Sequence, residues 1–296
     1  MHHHRMRVAC TALAVLAFAA LSFAGIASAK LTGVYTRFEK CPYTNTEVKR
    51  CITSYTESGE VILGSKTVPI LNKTTLQGGL GKFNEETGFT PFFAPTSGDA
   101  LSKTPQNVPG GLLGIVPEAK QPALVKALIK FFFENSLTGL NSTLELAKPA
   151  TEIKVSQLHL SEELGTALEM PLKVHLENPF LGNNCYVGSS SSPVIWKLTT
   201  GPTSPPAPNK SIKGFAGFAE LLEEGRVVEN KETKLVDNAF SAPAATGCGG
   251  IISFLVNPIV NGSLGTTTAG HNTAILNNTI NLASSAAVKK NNEEHP

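Results

Sequence analysis

ALEMPLKVHLENPF, residues 167–180, sets Leu168, Met170, Leu172, Val174 and Leu176 on one side of an extended chain and Glu169, Lys173, His175 and Glu177 on the other. Successive side chains of a strand point to opposite faces, so this alternation predicts a half-buried strand with its apolar face on a core. Neighbouring stretches repeat the theme. PVIWKLTTG (193–201) and TEIKVSQLHL (151–160) read as further strands, and HNTAILNNTINLAS (271–284) as a last one. Nearer the N-terminus, LTGVYTRF (31–38) alternates well enough for a strand. GEVILGSKTVPI (59–70) is a strand punctuated by Gly64, with Pro69 confining its end to a sheet edge. TTLQGGLGKFNEETG (74–88) reads as a short strand and loop, and GFAELLEEGRVVENK (217–231) as a hairpin turning at Glu224-Gly225, with a short helix through Leu221 and Leu222 as the competing reading. The Pro- and Gly-dense run 90–117 is expected to be irregular, its apolar residues folded back onto the core.

One helix stands out, PALVKALIKFFFEN, over about 122–135. Pro122 suits its first turn, and Leu124, Leu128 and Phe131 recur at helical spacing. Lys126, Lys130 and Glu134 share another face. Such a helix either covers an open side of a sheet or lies on a lipid surface, and two lysines make a weak basic face, so the covering role is favoured. GCGGIISFLVNPIVNG (247–262) is apolar and ambiguous; a short helix over about 250–257, stopped near Pro258, is the favoured reading. The fold expected is mainly β, an antiparallel sandwich or partly open barrel.

At the N-terminus, Arg5 and Arg7 precede an apolar run from Val8 to Ile26 that ends in Ala27-Ser28-Ala29. A charged start, an apolar middle and an Ala-x-Ala end make a signal peptide over 1–29, although the run is long enough to serve as an uncleaved anchor. Cys10 precedes most of the apolar run, where a lipid-modified cysteine would follow it, and His2, His3 and His4 leave with the signal. Cleavage would place the mature start at Lys30, which N-terminal sequencing of secreted material would read directly. The domain plan is then a signal over 1–29, one β-rich domain over 30–288 and a disordered, solvated tail over 289–296. Losing Arg5 and Arg7 balances basic against acidic residues, so no basic stripe remains to neutralise phosphates and nucleic acid is not an expected partner. No later segment is long and apolar enough to cross a membrane as a helix.

Beyond residue 29 the cysteines are Cys41, Cys51, Cys185 and Cys248. An even set in an exported chain reads as disulfides, and of the three possible pairings Cys41–Cys51 with Cys185–Cys248 is the most economical. The chain-entropy model gives about 3 kcal/mol for the short loop and about 4 kcal/mol for the long one, before strain. C-x-x-C is absent and no histidine adjoins these cysteines, so neither a redox pair nor a zinc site is expected. The Pro-rich GPTSPPAPNKS (201–211) falls inside the Cys185–Cys248 loop and is read as an exposed excursion within one domain.

Catalytic patterns are missing. The histidines after residue 29 are His159, His175, His271 and His295, and the only aspartates are Asp99 and Asp237. There is no G-x-S-x-G elbow, H-E-x-x-H, phosphate loop or dinucleotide fingerprint. The glutamate pairs Glu85-Glu86, Glu162-Glu163 and Glu223-Glu224 read as solvated turns or helix starts. His271, after TTTAG, is the best position for a base if a site exists. No cofactor and no metal are expected.

LSKTPQNVPGGLLGI (101–115), GPTSPPAPNKS (201–211), LVDNAFSAPAATGCGGIISFLVNPIVN (235–261) and AGHNTAILNNTIN (269–281) together resemble a group of exported proteins of soil actinobacteria. The resemblance spans most of the chain after the signal, including Cys185 and Cys248, and implies export and a shared fold. It implies no catalytic residue. The function expected is a non-catalytic binding or structural protein, secreted or at the cell surface, with an unidentified surface or small-molecule partner. The alternatives are a secreted hydrolase with a site near His271 and a carrier of an apolar ligand, which a deep apolar cavity would favour.

Overall fold

The structure is a computed structural model and describes residues 30–114, 118–133 and 138–295. The expected signal segment 1–29 lies outside the described residues, as do positions 134 and 135 of the expected helix and position 296 of the expected tail. In chain order the elements are β1 (Arg50–Leu63), β2 (Lys66–Pro69), β3 (Thr74–Leu80), β4 (Thr90–Phe93), β5 (Gln106–Val108), α1 (Ala123–Phe133), β6 (Leu140–Leu146), β7 (Lys154–Val155), α2 (Gln157–Glu162) and β8 (Leu168–Glu177). Then come β9 (Tyr186–Val187), β10 (Val194–Leu198), β11 (Phe218–Leu222), β12 (Val227–Asp237), β13 (Ala245–Thr246), α3 (Ser253–Leu264), β14 (Asn272–Ser284) and α4 (Ser285–Glu294). The protein is mainly antiparallel β with a few short helices.

The strands pair in the spatial order β12, β14, β1, β3, β4, β7, β8. β10 pairs with β8, and beyond its end Thr199 returns to β12 by two reciprocal backbone hydrogen bonds with Val236, each 2.9 Å. The sheet therefore rolls into a ring closed by a single bridge, a barrel with a short seam. β8 is its branch point. Its first half pairs with β7 and β10, and its second half with β6 and β9.

Alternation decides what fills the ring. Leu168, Met170, Leu172, Val174 and Leu176 of β8 are buried, and around Leu172 they pack with Trp196, Leu198 and Leu235 into the main core. β1 and β14 pair along almost their whole length, with one register shift between Thr56 and Ser58. Beside that shift Gly59 sits at φ +135°, where a Cβ would lie 2.0 Å from the Ile275 carbonyl oxygen, so only glycine fits. A second, smaller core gathers Tyr35, Phe38, Cys41, Cys51, Val227, Ala283 and Val288, joining both chain ends to the outside of the sheet.

Several segments differ from their sequence reading. Residues 31–38 form a 3-10 helix, Gly33–Phe38, which buries Tyr35 and Phe38 three residues apart. TEIKVSQLHL keeps only the two-residue β7; Ser156 then accepts a hydrogen bond from the His159 amide and starts α2. The irregular run 90–117 contains β4 and β5. The second helix does not stop near Pro258 but runs through it to Leu264. Proline removes the amide that would bond the Phe254 carbonyl, and Phe254 lies on the exposed side where water can take that bond. The tail 289–296 is not disordered over its described length: α4 continues to Glu294. Ser284 caps it, Val288 is buried, Lys289–Glu293 and Lys290–Glu294 pair across one turn, and His295 accepts a backbone bond from Lys30.

Two disulfides, Cys41–Cys51 and Cys185–Cys248, span sequence separations of 10 and 63. The longer loop restricts the unfolded chain more, by about 1.6 kcal/mol in the chain-entropy model. Cys248→Ser should therefore lower the melting temperature more than Cys51→Ser, by about 3–6 °C on this term alone. Thermal unfolding followed by Trp196 emission checks it, and the reverse order would remove loop entropy as the deciding effect.

Candidate functional site

Past Leu172, the inner face of β8 changes neighbours. Its first half faces solid core, where only a void of about 30 Å³ remains beside Met170, Leu172 and Trp196. Its second half has left the ring's seam, and Val174 and Leu176 face a cavity of about 410 Å³. Leu63 of β1, Leu144 of β6 and Val256 and Val260 of α3 complete its principal walls. Ile70, Thr74 and Leu144 line both spaces, so the small void lies next to the cavity's inner end. The volume falls in the range of ordinary small-molecule sites.

α3 is the roof, and its asparagines hold it. Asn257 accepts from the Cys248 amide at 2.9 Å. One turn on, Asn261 accepts from the Ala245 amide at 2.6 Å and donates to the Ala245 carbonyl at 3.0 Å. At the far end the Ser65 amide donates to the Leu264 carbonyl. At the near end Gly249 donates to the Leu181 carbonyl, and the Cys185–Cys248 disulfide ties the roof to the residue before β9.

Polar groups on the wall are few. Gln106 is engaged: its Oε1 accepts from the Leu71 and Asn72 amides and its Nε2 donates to the Asn72 carbonyl. Among the described residues, Lys66 carries the one charge on the wall, and no histidine or carboxylate lines the space. Outside, the roof exposes Phe254 (71 %) and Leu255, and the turn before it exposes Ile251 (99 %). α1 adds Leu124, Leu128 and Phe131 to the exposed apolar surface. It was expected to cover a sheet; instead it packs on the 3-10 turn Gly111–Leu113, whose Gly111 and Leu112 line the cavity.

The candidate catalytic residues are not gathered. His159 Nδ1 lies 3.0 Å from the Thr166 carbonyl, and His295 Nδ1 lies 2.8 Å from the Asn291 carbonyl. His175 faces outward, stacked on Tyr186 and 3.2 Å from Glu177. His271 donates its amide to Thr268 in a turn, and among the described residues its ring meets no carboxylate in an ion pair. Glu163 is drawn to Lys213 at 2.6 Å, and that hydrogen bond lowers its pKa. Among the described residues no group of His, Cys, Asp and Glu can hold a metal ion.

Asp237 has a structural position that its sequence context did not mark. It is buried at the seam, one residue past the Thr199–Val236 bridge, and accepts from the Lys197 amide at 2.6 Å and the Ala239 amide at 2.9 Å. The cavity walls were likewise not singled out beforehand. One signal was available: from Ala239 to Val288 the chain carries no Asp, Glu, Lys or Arg, and α3 lies within that run. Comparison with family models, curated proteins and solved structures finds no match to this chain.

Burial raises the Asp237 pKa, with the two amides acting in the opposite direction. A raised folded pKa means that the folded state keeps a proton over an interval where the unfolded chain has lost it. Stability therefore falls as pH rises from the ordinary aspartate range to the folded pKa, and is level in this respect above it. Urea midpoints of wild type and Asp237→Asn, measured from acid to neutral pH, should show this decline in wild type only. Parallel curves would refute it.

Proposed function

We propose that this is a non-catalytic binding protein that encloses a small apolar molecule beneath α3, secreted or held at the cell surface. The observation that carries the reading is the cavity of about 410 Å³, walled mainly by aliphatic side chains and next to a close-packed core. A folding chain of this size gains by filling such a space with its own side chains, because each unfilled volume forfeits dispersion contacts. Retaining it is favourable where a ligand supplies the missing contacts. The uncharged roof and its exposed apolar residues give such a ligand a route that never crosses a charged surface. Two disulfides are compatible with an oxidising, extracellular compartment, and no helix among the described residues is long and apolar enough to cross a membrane.

Titration with the neutral, environment-sensitive dye N-phenyl-1-naphthylamine tests the reading. Emission should rise and saturate near one dye per chain, and the melting temperature should climb with dye concentration, as mass action requires. Val256→Trp, which puts an indole into the space from the roof, should abolish the emission while far-UV circular dichroism stays unchanged. A wild type that neither brightens the dye nor gains stability would sink the proposal.

A further inference from the structure

Lys66 sits where a purely hydrocarbon ligand would have no use for it. It opens β2 directly after the Gly64-Ser65 turn, is half-buried, and among the described residues is the one charged residue on the cavity wall. Several surface lysines hold carboxylates: Lys154, Lys213 and Lys231 each do so at 2.6 Å. The Lys66 ammonium takes part in none of the hydrogen bonds or ion pairs of the described residues. It lies against Gly114, where an added Cβ would come within 2.3 Å of Nζ, so the bare glycine backbone is what leaves the ammonium room. Gly114 also has φ +65°, which disfavours any larger residue.

A cation partly withdrawn from water and facing an aliphatic wall lacks a counter-charge, and in such surroundings a counter-charge is held more strongly than in bulk water. The geometry points to an anionic amphiphile as the ligand: one carboxylate or phosphate headgroup at Lys66, with a hydrocarbon tail along Val174, Leu176 and Val260. This rests on the cavity being a binding site, as proposed above. A free anion is a poorer fit, because the wall offers one ammonium and Gln106 is already engaged. A neutral lipid would fill the space and leave Lys66 unpaired.

The test compares a fluorescent polyene fatty acid, parinaric acid, with its methyl ester on the full secreted chain. Wild type should bind the acid about tenfold more tightly than the ester, a difference of about 1.4 kcal/mol. Lys66→Met should weaken the acid about tenfold and leave the ester and the melting temperature unchanged, and Lys66→Arg should keep the preference. A long-chain alkyl phosphate should displace the acid, and millimolar inorganic phosphate should not. Equal binding of acid and ester, or a preference that survives in Lys66→Met, overturns this inference and leaves the cavity reading intact. Displacement by inorganic phosphate alone would reassign Lys66 to a free anion and overturn it too. Failure of acid, ester and neutral dye to bind would remove both readings.

Discussion

The barrel hangs on a seam one bridge wide. β10 is five residues long, and its continuation reaches β12 only through the Thr199–Val236 pair. Two backbone hydrogen bonds, worth about 1 kcal/mol each net, are a thin closure for a sheet of this size. Asp237 thickens it by taking the next free amide on β10, that of Lys197, with a side-chain oxygen where the ladder has ended. Its two carboxyl oxygens divide the work, Oδ2 accepting from Lys197 and Oδ1 from Ala239. The raised pKa is thus a mark of the seam rather than of chemistry. Sheets that do not close leave edges that pair with other chains, so the arrangement also hides the inner edges of β10 and β12.

The seam explains where the cavity is. Closure draws β8 and β12 together at Leu168–Leu172, and there the interior is solid around Trp196 and Leu172. Beyond that point β8 pairs with β6 and the short β9, the walls part, and no strand crosses the gap. α3 spans it instead. A helix cannot continue a ladder, so it is tied by side chains: Asn257 and Asn261, four apart, reach the backbone of the segment carrying Cys248. The disulfide then connects this segment to the residue before β9, so the roof is fastened to the half of β8 that the seam leaves open.

Legibility followed the range of the interactions involved. β8, β10, β14, the β1–β2 turn at Gly64 and the hairpin at Glu224-Gly225 were readable because alternation and turn chemistry are local. LNSTLEL, now β6, was passed over because its alternation is broken: Ser142 and Thr143 are both buried, and its partner is β8, some thirty residues later. LTGVYTRF alternates yet coils, since packing Tyr35 and Phe38 on Cys41 and Val227 outweighs its weak strand preference. The disulfide pairing was accessible from economy of loops. The cavity was not, because its walls come from separate segments between Val61 and Leu264, each an ordinary apolar stretch in isolation. Only the charge-free run from Ala239 to Val288 set part of it apart.

The roof carries a tension between its inner and outer surfaces. Val256 and Val260 point down into the cavity while Phe254 and Leu255 are exposed to water, so α3 is apolar on both sides. Packing accounts for the inner residues alone. An outer phenylalanine gains nothing from folding that a lysine would not gain, and an exposed apolar patch invites association. Pro258 adds to this: it leaves one helical bond unmade in the middle of the roof, while the asparagine contacts and the disulfide hold the helix at its ends and along one face. The one turn of α3 with an incomplete ladder is thus the turn that carries Phe254 to water, and Asn257 within it is tied to the Cys248 amide by its side chain instead.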